Sequence, residues 1–325
     1  MNWGIIGLGD IARKTAVLMP EYPGERLLAV ASRDAERARA FAATTGAERA
    51  YGDYAALIAD ADVEVVYIAT PHPQHHEWAL AALAAGKHVL CEKPMALNGR
   101  ECRELIDAAR THERFLMEAV WARFVPALTE VRARVAAGDI GELRMLQCDT
   151  GYRMPRVDPT SRLFDPMLAG GGLMDIGIYG VSMAAWFMGA PSSVQSVAAI
   201  GETGVDEQCA MLLGYPDGAL AQVTSAIRTT TINDLRLIGT EGRIQVHANF
   251  KNSATYDFTG PDGQTTTHRF VDQPADRRYL IPAVAESIAA GRLEDPRMTW
   301  TESQITADIM DDCRAAWGLV YPQER

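Results

Sequence analysis

Short apolar runs alternate with longer amphipathic segments through the first third of the chain. The run Trp3-Gly4-Ile5-Ile6 predicts a buried strand, followed by a tight turn and a helical pattern through Lys14, Val17 and Leu18. Further strands are expected at 27–31, 63–69, 88–91 and 115–118. Helices are expected at 35–44, 76–85 and 99–111, with Gly86 as a C-cap. Strands alternating with helices in this way predict an α/β unit built on a doubly wound parallel sheet.

The pattern changes after Trp121. A helix is expected at 126–137, a strand at 142–152 and a helix at 173–188, the last after the run Gly170-Gly171-Gly172. Strand-like runs follow at 193–201, 208–215, 219–229, 234–239, 243–248 and 254–259. Pro216-Asp217-Gly218 and Gly260-Pro261-Asp262-Gly263 read as hairpin turns. Helices at 282–290 and 301–317 close the chain. The expectation is a Rossmann domain over residues 1–120 and a C-terminal α+β domain over 121–325, built on an open, mostly antiparallel sheet. With no flexible linker near residue 120, the site is expected between the two.

Composition narrows the function classes. At 325 residues, 48% of them apolar, the chain has material for about two domains. The net charge is −11 and no basic stripe appears, which argues against a nucleic-acid partner. No apolar stretch stands out at the ~18 residues of a membrane span. A strand starting at Trp3 leaves no room for a signal peptide, so no membrane association and a cytoplasmic location are expected. Cys91, Cys102, Cys148, Cys209 and Cys313 stand singly, without a C-x-x-C pair, and predict buried reduced thiols.

Three places carry candidate chemistry. The first is Gly7-Leu8-Gly9-Asp10-Ile11-Ala12, between a strand and a helix. Gly7 permits the turn, Gly9 lets backbone approach a pyrophosphate, and Ala12 replaces a third glycine while allowing close helix packing. The helix-start N–H groups then face the phosphates. The second place is the end of the second strand, Val30-Ala31-Ser32-Arg33, where an NAD site would carry a carboxylate on the ribose 2′-hydroxyl. Ser32 is neutral here, and Arg33 and Arg37 are four apart on one helix face, which suits a 2′-phosphate and predicts NADP over NAD. The neighbouring Asp34 reads as a helix cap.

The third place pairs Glu92-Lys93-Pro94 with a later motif. The first follows a strand end, where such folds bind ligands, and the proline aims Lys93. Downstream, Asp175 and Tyr179 are four apart on a helix after the three glycines, which would let a nicotinamide or sugar approach closely. A phenol beside a lysine becomes a general base for a hydroxyl. His72, His75 and His76 crowd together, but apart from Glu77 no carboxylate or thiol stands at ligand spacing to complete a metal set, and no metal is expected. Tyr152, Arg153, Phe164 and Phe250 are candidate lining residues.

These motifs, with Thr70-Pro71-His72-Pro73-Gln74-His75 and Met117-Glu118-Ala119-Val120-Trp121-Ala122-Arg123-Phe124, resemble the glucose–fructose oxidoreductase / inositol dehydrogenase (Gfo/Idh/MocA) family in order over residues 3–190. Trp121-x-Arg123-Phe124 and Tyr179 look most like its dimeric dihydrodiol dehydrogenases and NADP-dependent aldose (D-xylose) dehydrogenases. The resemblance implies that Lys93 polarises the substrate oxygen, Tyr179 is the acid/base and Asp175 orients the hydroxyl. It also implies that the Thr70–His75 loop and Glu92 serve the cofactor, and that Trp121 and Arg123 line the nicotinamide and substrate cleft. Many inositol-dehydrogenase-like members have histidine where this chain has Tyr179, which argues against inositol. The implied substrate is a polyol, sugar or diol. The second domain would bind substrate and form a homodimer, or a tetramer, through its open sheet. The rival readings are a non-catalytic NAD(P) sensor and a different enzyme of the same fold that keeps its nucleotide bound.

Overall fold

Strand β1 forms at Asn2–Ile6 and lies at the centre of a six-stranded parallel sheet. Its companions are β2 (Arg26–Ala31), β3 (Arg49–Tyr51), β4 (Val65–Ile68), β5 (His88–Cys91) and β6 (Leu116–Glu118), in the order β3-β2-β1-β4-β5-β6. That order reverses between β1 and β4, the crevice where open α/β sheets bind dinucleotides. Val65, Val66, Tyr67 and Ile68 are all fully buried, because helices cover both faces of a parallel sheet. The helices are α1 (Asp10–Ala16), α2 (Ala35–Thr45), α3 (Tyr54–Ile58), α4 (His75–Ala84) and α5 (Gly99–Thr111). Strand β3 and helix α3 were not expected; each is too short to carry a period.

The computed structural model describes residues 1–325, which divide into two units: Met1–Ala119 with Arg277–Ser303, and Val120–Asp276 with Gln304–Arg325. The expected grouping of 121–325 therefore differs over Arg277–Ser303, which packs in the first unit. The cause is the edge strand β6. An edge leaves backbone groups unpaired, and here the Leu116 N–H donates to the Leu293 carbonyl at 3.0 Å while Trp300 Nε1 donates to the Leu116 carbonyl at 2.9 Å. Helix α8 (Leu280–Ala289) lies in the same segment.

The second unit holds the helix α6 (Pro126–Ala137) and β7 (Leu143–Gly151). A π-helical turn, Leu173–Gly177, runs straight into α7 (Ile178–Met188). The strands β8 (Ser193–Ile200), β9 (Asp206–Gly214), β10 (Leu220–Ala226), β11 (Leu235–Gly239), β12 (Arg243–Val246), β13 (Thr255–Thr259) and β14 (Thr265–Arg269) follow. Helix α9 (Trp300–Trp317), whose residues up to Ser303 belong to the first unit, is the last α-helix, and a 3-10 turn at Pro322–Glu324 follows it. The sheet order is β14-β13-β12-β11-β7-β10-β9-β8, antiparallel throughout except for the β7–β10 pair.

Alternation gives this sheet two different faces. Leu146, Met211, Leu213, Val223, Leu237 and Ile244 are fully buried on one. On the other, Val197, Leu212 and Leu220 are 70%, 55% and 50% exposed. The segment Pro166–Met188 is long and apolar enough to cross a membrane, contrary to the sequence expectation, but 89% of its apolar 18-residue stretch is buried inside the protein. It is the core helix of this unit.

Candidate functional site

The glycine turn sits at the carboxyl end of β1. Gly7 has a φ of +83°, and a Cβ there would lie 2.4 Å from the Thr70 nitrogen, so both conformation and packing require glycine. A Cβ on Gly9 would meet nothing within 4 Å. Packing does not demand glycine there; the open space suits a ligand lying against backbone. Gly9 is the N-cap of α1, Asp10 occupies its first turn, and Ala12 is fully buried against the sheet. Leu8 is buried, Ile11 is half-buried, and the Leu8 carbonyl accepts from Arg37 Nη2 at 2.7 Å.

At the end of β2, Ser32 is buried and its Oγ accepts from the Asp34 N–H at 3.3 Å. Asp34 caps α2, accepting from the Glu36 and Arg37 N–H groups. Its carboxylate is thus turned to the helix. Arg33 and Arg37 are exposed, and both positive charges act on the Tyr54 phenol, pulling its pKa down against the burial that raises it.

The loop after β4 holds a fit for a cofactor that the protein does not itself fill. Thr70 is buried and its Oγ1 has no hydrogen-bond partner. Pro71 and His72 are half-buried beside it. His75 departs from the expected contact role: it is fully buried, with Nδ1 2.7 Å from the Pro94 carbonyl and Nε2 2.8 Å from the Thr70 carbonyl. The ring ties the loop after β4 to the loop after β5. Burial lowers its pKa, opposed by the same two carbonyls and by Glu92. Of the three histidines, His72 and His75 meet edge-on with ring centres 5.8 Å apart, while His76 turns to Glu104, with Nε2 at 2.8 Å.

Glu92 also departs from the cofactor role. It is 5% exposed and accepts from the Tyr67 hydroxyl at 2.6 Å and from Arg277 Nη1 at 3.1 Å. Such a carboxylate, buried and already bonded, fixes the strand end. Lys93, next to it, is half-buried and its N–H donates to Glu92 Oε2 at 3.3 Å. The Lys93–Pro94 peptide is cis. Tyr67 and Arg277 were not legible as site supports; they come from a different strand and from 185 residues downstream.

In the second unit, Trp121 Nε1 donates to the Tyr179 hydroxyl at 2.8 Å, and the two rings meet edge-on at 6.1 Å. Lys251, from the 3-10 turn Phe250–Asn252, places its Nζ 5.2 Å from the centre of the Tyr179 ring. Asp175 has both oxygens engaged: Tyr152 donates at 2.7 Å and Arg162 Nη1 at 2.8 Å. Burial and Asp175 together hold the Tyr152 phenol well above its usual pKa. Tyr152 is thereby a support of Asp175.

Arg123 does not line a cleft. It is fully buried, Nε donates to Ser182 Oγ at 2.9 Å and Nη2 to the Ser182 carbonyl at 2.7 Å, and the guanidinium lies 5.3 Å from the Trp186 ring centre. It anchors the turn bearing Trp121 to α7. Phe164 and Phe250 are likewise fully buried core residues.

The three glycines also serve another purpose than ligand approach. A Cβ on Gly170 would lie 2.6 Å from the Leu163 carbonyl oxygen, and one on Gly171 would lie 2.2 Å from Asp206 Oδ1. The groups that come close are the protein's own. Past them the helix widens into the π-helical turn, whose Ile176 carbonyl accepts from Thr150 Oγ1 at 3.2 Å. Asp175 and Tyr179 are thus carried on a π-to-α junction and not on one regular α-helix.

Residues 1–120 match the oxidoreductase family with an NAD-binding Rossmann fold, and residues 128–245 match the GFO/IDH/MocA C-terminal domain. A trans-1,2-dihydrobenzene-1,2-diol dehydrogenase from Mus musculus is 37% identical over 335 residues, spanning 100% of this chain and 99% of that protein. Its Homo sapiens counterpart is 35% identical over 336 residues, with 100% and 99% covered. Among solved structures, an aldose-aldose oxidoreductase from Caulobacter crescentus complexed with glycerol superposes with a TM-score of 0.86 at 27% identity over 97% of each chain. A 3-ketoreductase from Actinomadura kijaniata in complex with TDP-benzene and NADP gives 0.80 at 28%, over 97% of this chain and 96% of that one. Both domain matches and the full-length identities make this chain a member of the Gfo/Idh/MocA oxidoreductase family.

Proposed function

We propose that the chain is an NADP-dependent dehydrogenase/reductase acting on a CH–OH group of an aldose sugar or a cyclic trans-diol. The observation that carries this is the Tyr179 hydroxyl, bonded to Trp121 Nε1 at 2.8 Å with Lys251 beside its ring. A phenol held this way is prepared to take a hydroxyl proton. The named activities of the similar proteins, on a dihydrodiol and on aldoses, support the substrate class.

When bound, the nicotinamide supplies the hydride acceptor or donor. Gly7, Leu8, Gly9, Asp10 and Ile11 would hold its pyrophosphate, with Thr70, Pro71 and His72 beside them. Ser32, Arg33 and Arg37 would hold the 2′-phosphate, and the NADP in the similar 3-ketoreductase supports that choice. Tyr179 removes the substrate hydroxyl proton in oxidation and returns it in reduction. Lys93 stabilises the developing alkoxide by charge, and Asp175, held by Tyr152 and Arg162, orients the hydroxyl. The first unit is assigned to the dinucleotide and the second to substrate and to a homodimer formed through the open sheet face.

The deciding experiment follows absorbance at 340 nm with NADP⁺ and NAD⁺ against D-xylose, D-glucose, myo-inositol, 1,5-anhydrosugars and a trans-dihydrodiol. Turnover with an aldose or the diol, reduced roughly 10²–10⁴-fold in Lys93→Met and Tyr179→Phe with NADPH binding kept, is the expected result. Near-wild-type turnover in either variant would overturn the assignment.

A further inference from the structure

Asp206, the first residue of β9, is fully buried at the start of the segment that carries Asp175 and Tyr179. Its Oδ2 accepts from the Leu173 N–H at 2.7 Å, while Oδ1 has no hydrogen-bond partner. The glycines opposite are shaped to it. Gly171, at a φ of +116°, leaves room that a Cβ would take 2.2 Å from Oδ1, and a Cβ on Gly172 would lie 3.2 Å from Oδ2. From the other side, the Tyr321 hydroxyl donates to the Gly170 carbonyl at 2.6 Å.

We infer that Asp206 is a positioning residue: its carboxylate, seated in the notch left by Gly171 and Gly172, holds the Leu173 amide and so sets the π-helical turn from which Asp175 and Tyr179 are presented. This rests on the reading that those two residues serve the substrate. An asparagine could bond the same amide without placing a charge in the core, so a cap alone does not call for a carboxylate. The charge strengthens the bond to the amide, and that strength depends on ionisation. Burial pushes the Asp206 carboxyl up to about 7, against the Leu173 N–H and the charge of Arg314. The other titratable groups facing it are Cys209 on its own strand, Cys313 on α9, and Tyr321. The thiols and the phenol are all held neutral at this pH by burial, so Asp206 is the group that titrates here. Activity then rises with pH as the carboxylate forms and tightens the turn.

The test compares wild type with Asp206→Asn and Gly172→Ala, with Tyr179→Phe as reference. The readouts are kcat against pH for the panel substrate turned over, KM for NADP⁺, and deuterium exchange of the peptide spanning Leu173–Gly177. Asp206→Asn is expected to lower kcat about 10-fold, to flatten its rise near neutral pH, to speed exchange of that peptide and to leave KM for NADP⁺ unchanged. Gly172→Ala, which pushes on the same carboxylate, is expected to do the same more weakly. Folded Asp206→Asn with wild-type exchange and an unaltered pH profile would overturn the inference. Retained turnover in Tyr179→Phe would instead sink the reading of the site, while exchange in the Leu173–Gly177 peptide still reports on Asp206.

Discussion

The indole of Trp121 and the phenol of Tyr179, 58 positions apart in sequence, are joined by a 2.8 Å hydrogen bond in which the tryptophan donates. Because a donor to a phenol oxygen is worth most when that oxygen is charged, the bond would, on the role proposed for Tyr179, serve the proton-transfer step more than the resting protein. Trp121→Phe keeps the ring and removes the donor. It should lower kcat by roughly 10-fold to 100-fold, with KM for NADP⁺ unmoved. Steady-state kinetics of the folded variant would contradict this if kcat stayed at the wild-type value.

Cofactor choice is expected to reside in Arg33 and Arg37. Their charges converge near Tyr54, and the nearby Asp34 carboxylate is occupied as a helix cap. Replacing both with alanine should weaken NADPH roughly 10-fold to 100-fold and leave NADH almost unchanged. Fluorescence titration of each reduced nucleotide measures the ratio; an equal loss for both would mean that the arginines do not read the 2′-phosphate.

The Glu92–Arg277 pair should matter to folding first. Both side chains are about nine-tenths buried, and removing one partner strands the other charge. Arg277→Met should cost about 3–5 kcal/mol of unfolding free energy. Denaturant titration checks this, and a loss below ~1 kcal/mol would show that the pair is not the strut proposed for the Lys93 loop.

Stability should also carry the signature of Asp206. In the unfolded chain an aspartate ionises near about 3.9, whereas burial in the fold pushes Asp206 up to about 7. The folded pKa is raised, so this carboxyl favours the fold while neutral in both states. Its contribution declines as pH climbs between those two values, then levels off. Urea unfolding of wild type and Asp206→Asn at pH 5 and pH 8 should therefore diverge, with the wild type losing more stability across the interval. Parallel pH dependence in the two proteins would exclude the raised pKa.

A final test concerns the open sheet. Val197, Leu212 and Leu220 stand on its outer face at 70%, 55% and 50% exposure. If that face joins two copies, Leu212→Glu should halve the mass seen by light scattering and leave the thermal midpoint of the protomer near its original value. A wild-type protein that is already monomeric would end the proposal.

Much of this molecule was legible from its sequence because local chemistry announced it. Gly7 needs its positive φ, Asp34 bonds the two N–H groups that a cap should, and the apolar runs around Val66 and Val89 became central strands. What spacing cannot show shares one cause. Arg123, Glu92 and His75 look like ligand-facing polar residues, yet each is satisfied inside the protein by a distant partner: Ser182, Arg277 and the Thr70 and Pro94 carbonyls. A polar side chain at a site loop can equally be the strut that holds the loop, and only the partner distinguishes the two. The glycines before Leu173 were misassigned for the same reason, because Asp206 lies 35 residues beyond Gly171 and no spacing rule links them.

The π-helical turn at Leu173–Gly177 makes helical phase a functional quantity. Each residue of an α-helix advances the face by about 100°, so deleting Ile178, between that turn and Tyr179, would rotate everything behind it by a comparable angle. Tyr179 would then leave the indole of Trp121 and the ammonium of Lys251 without any change in its own identity. Along this stretch, what must be preserved is a count as well as a composition.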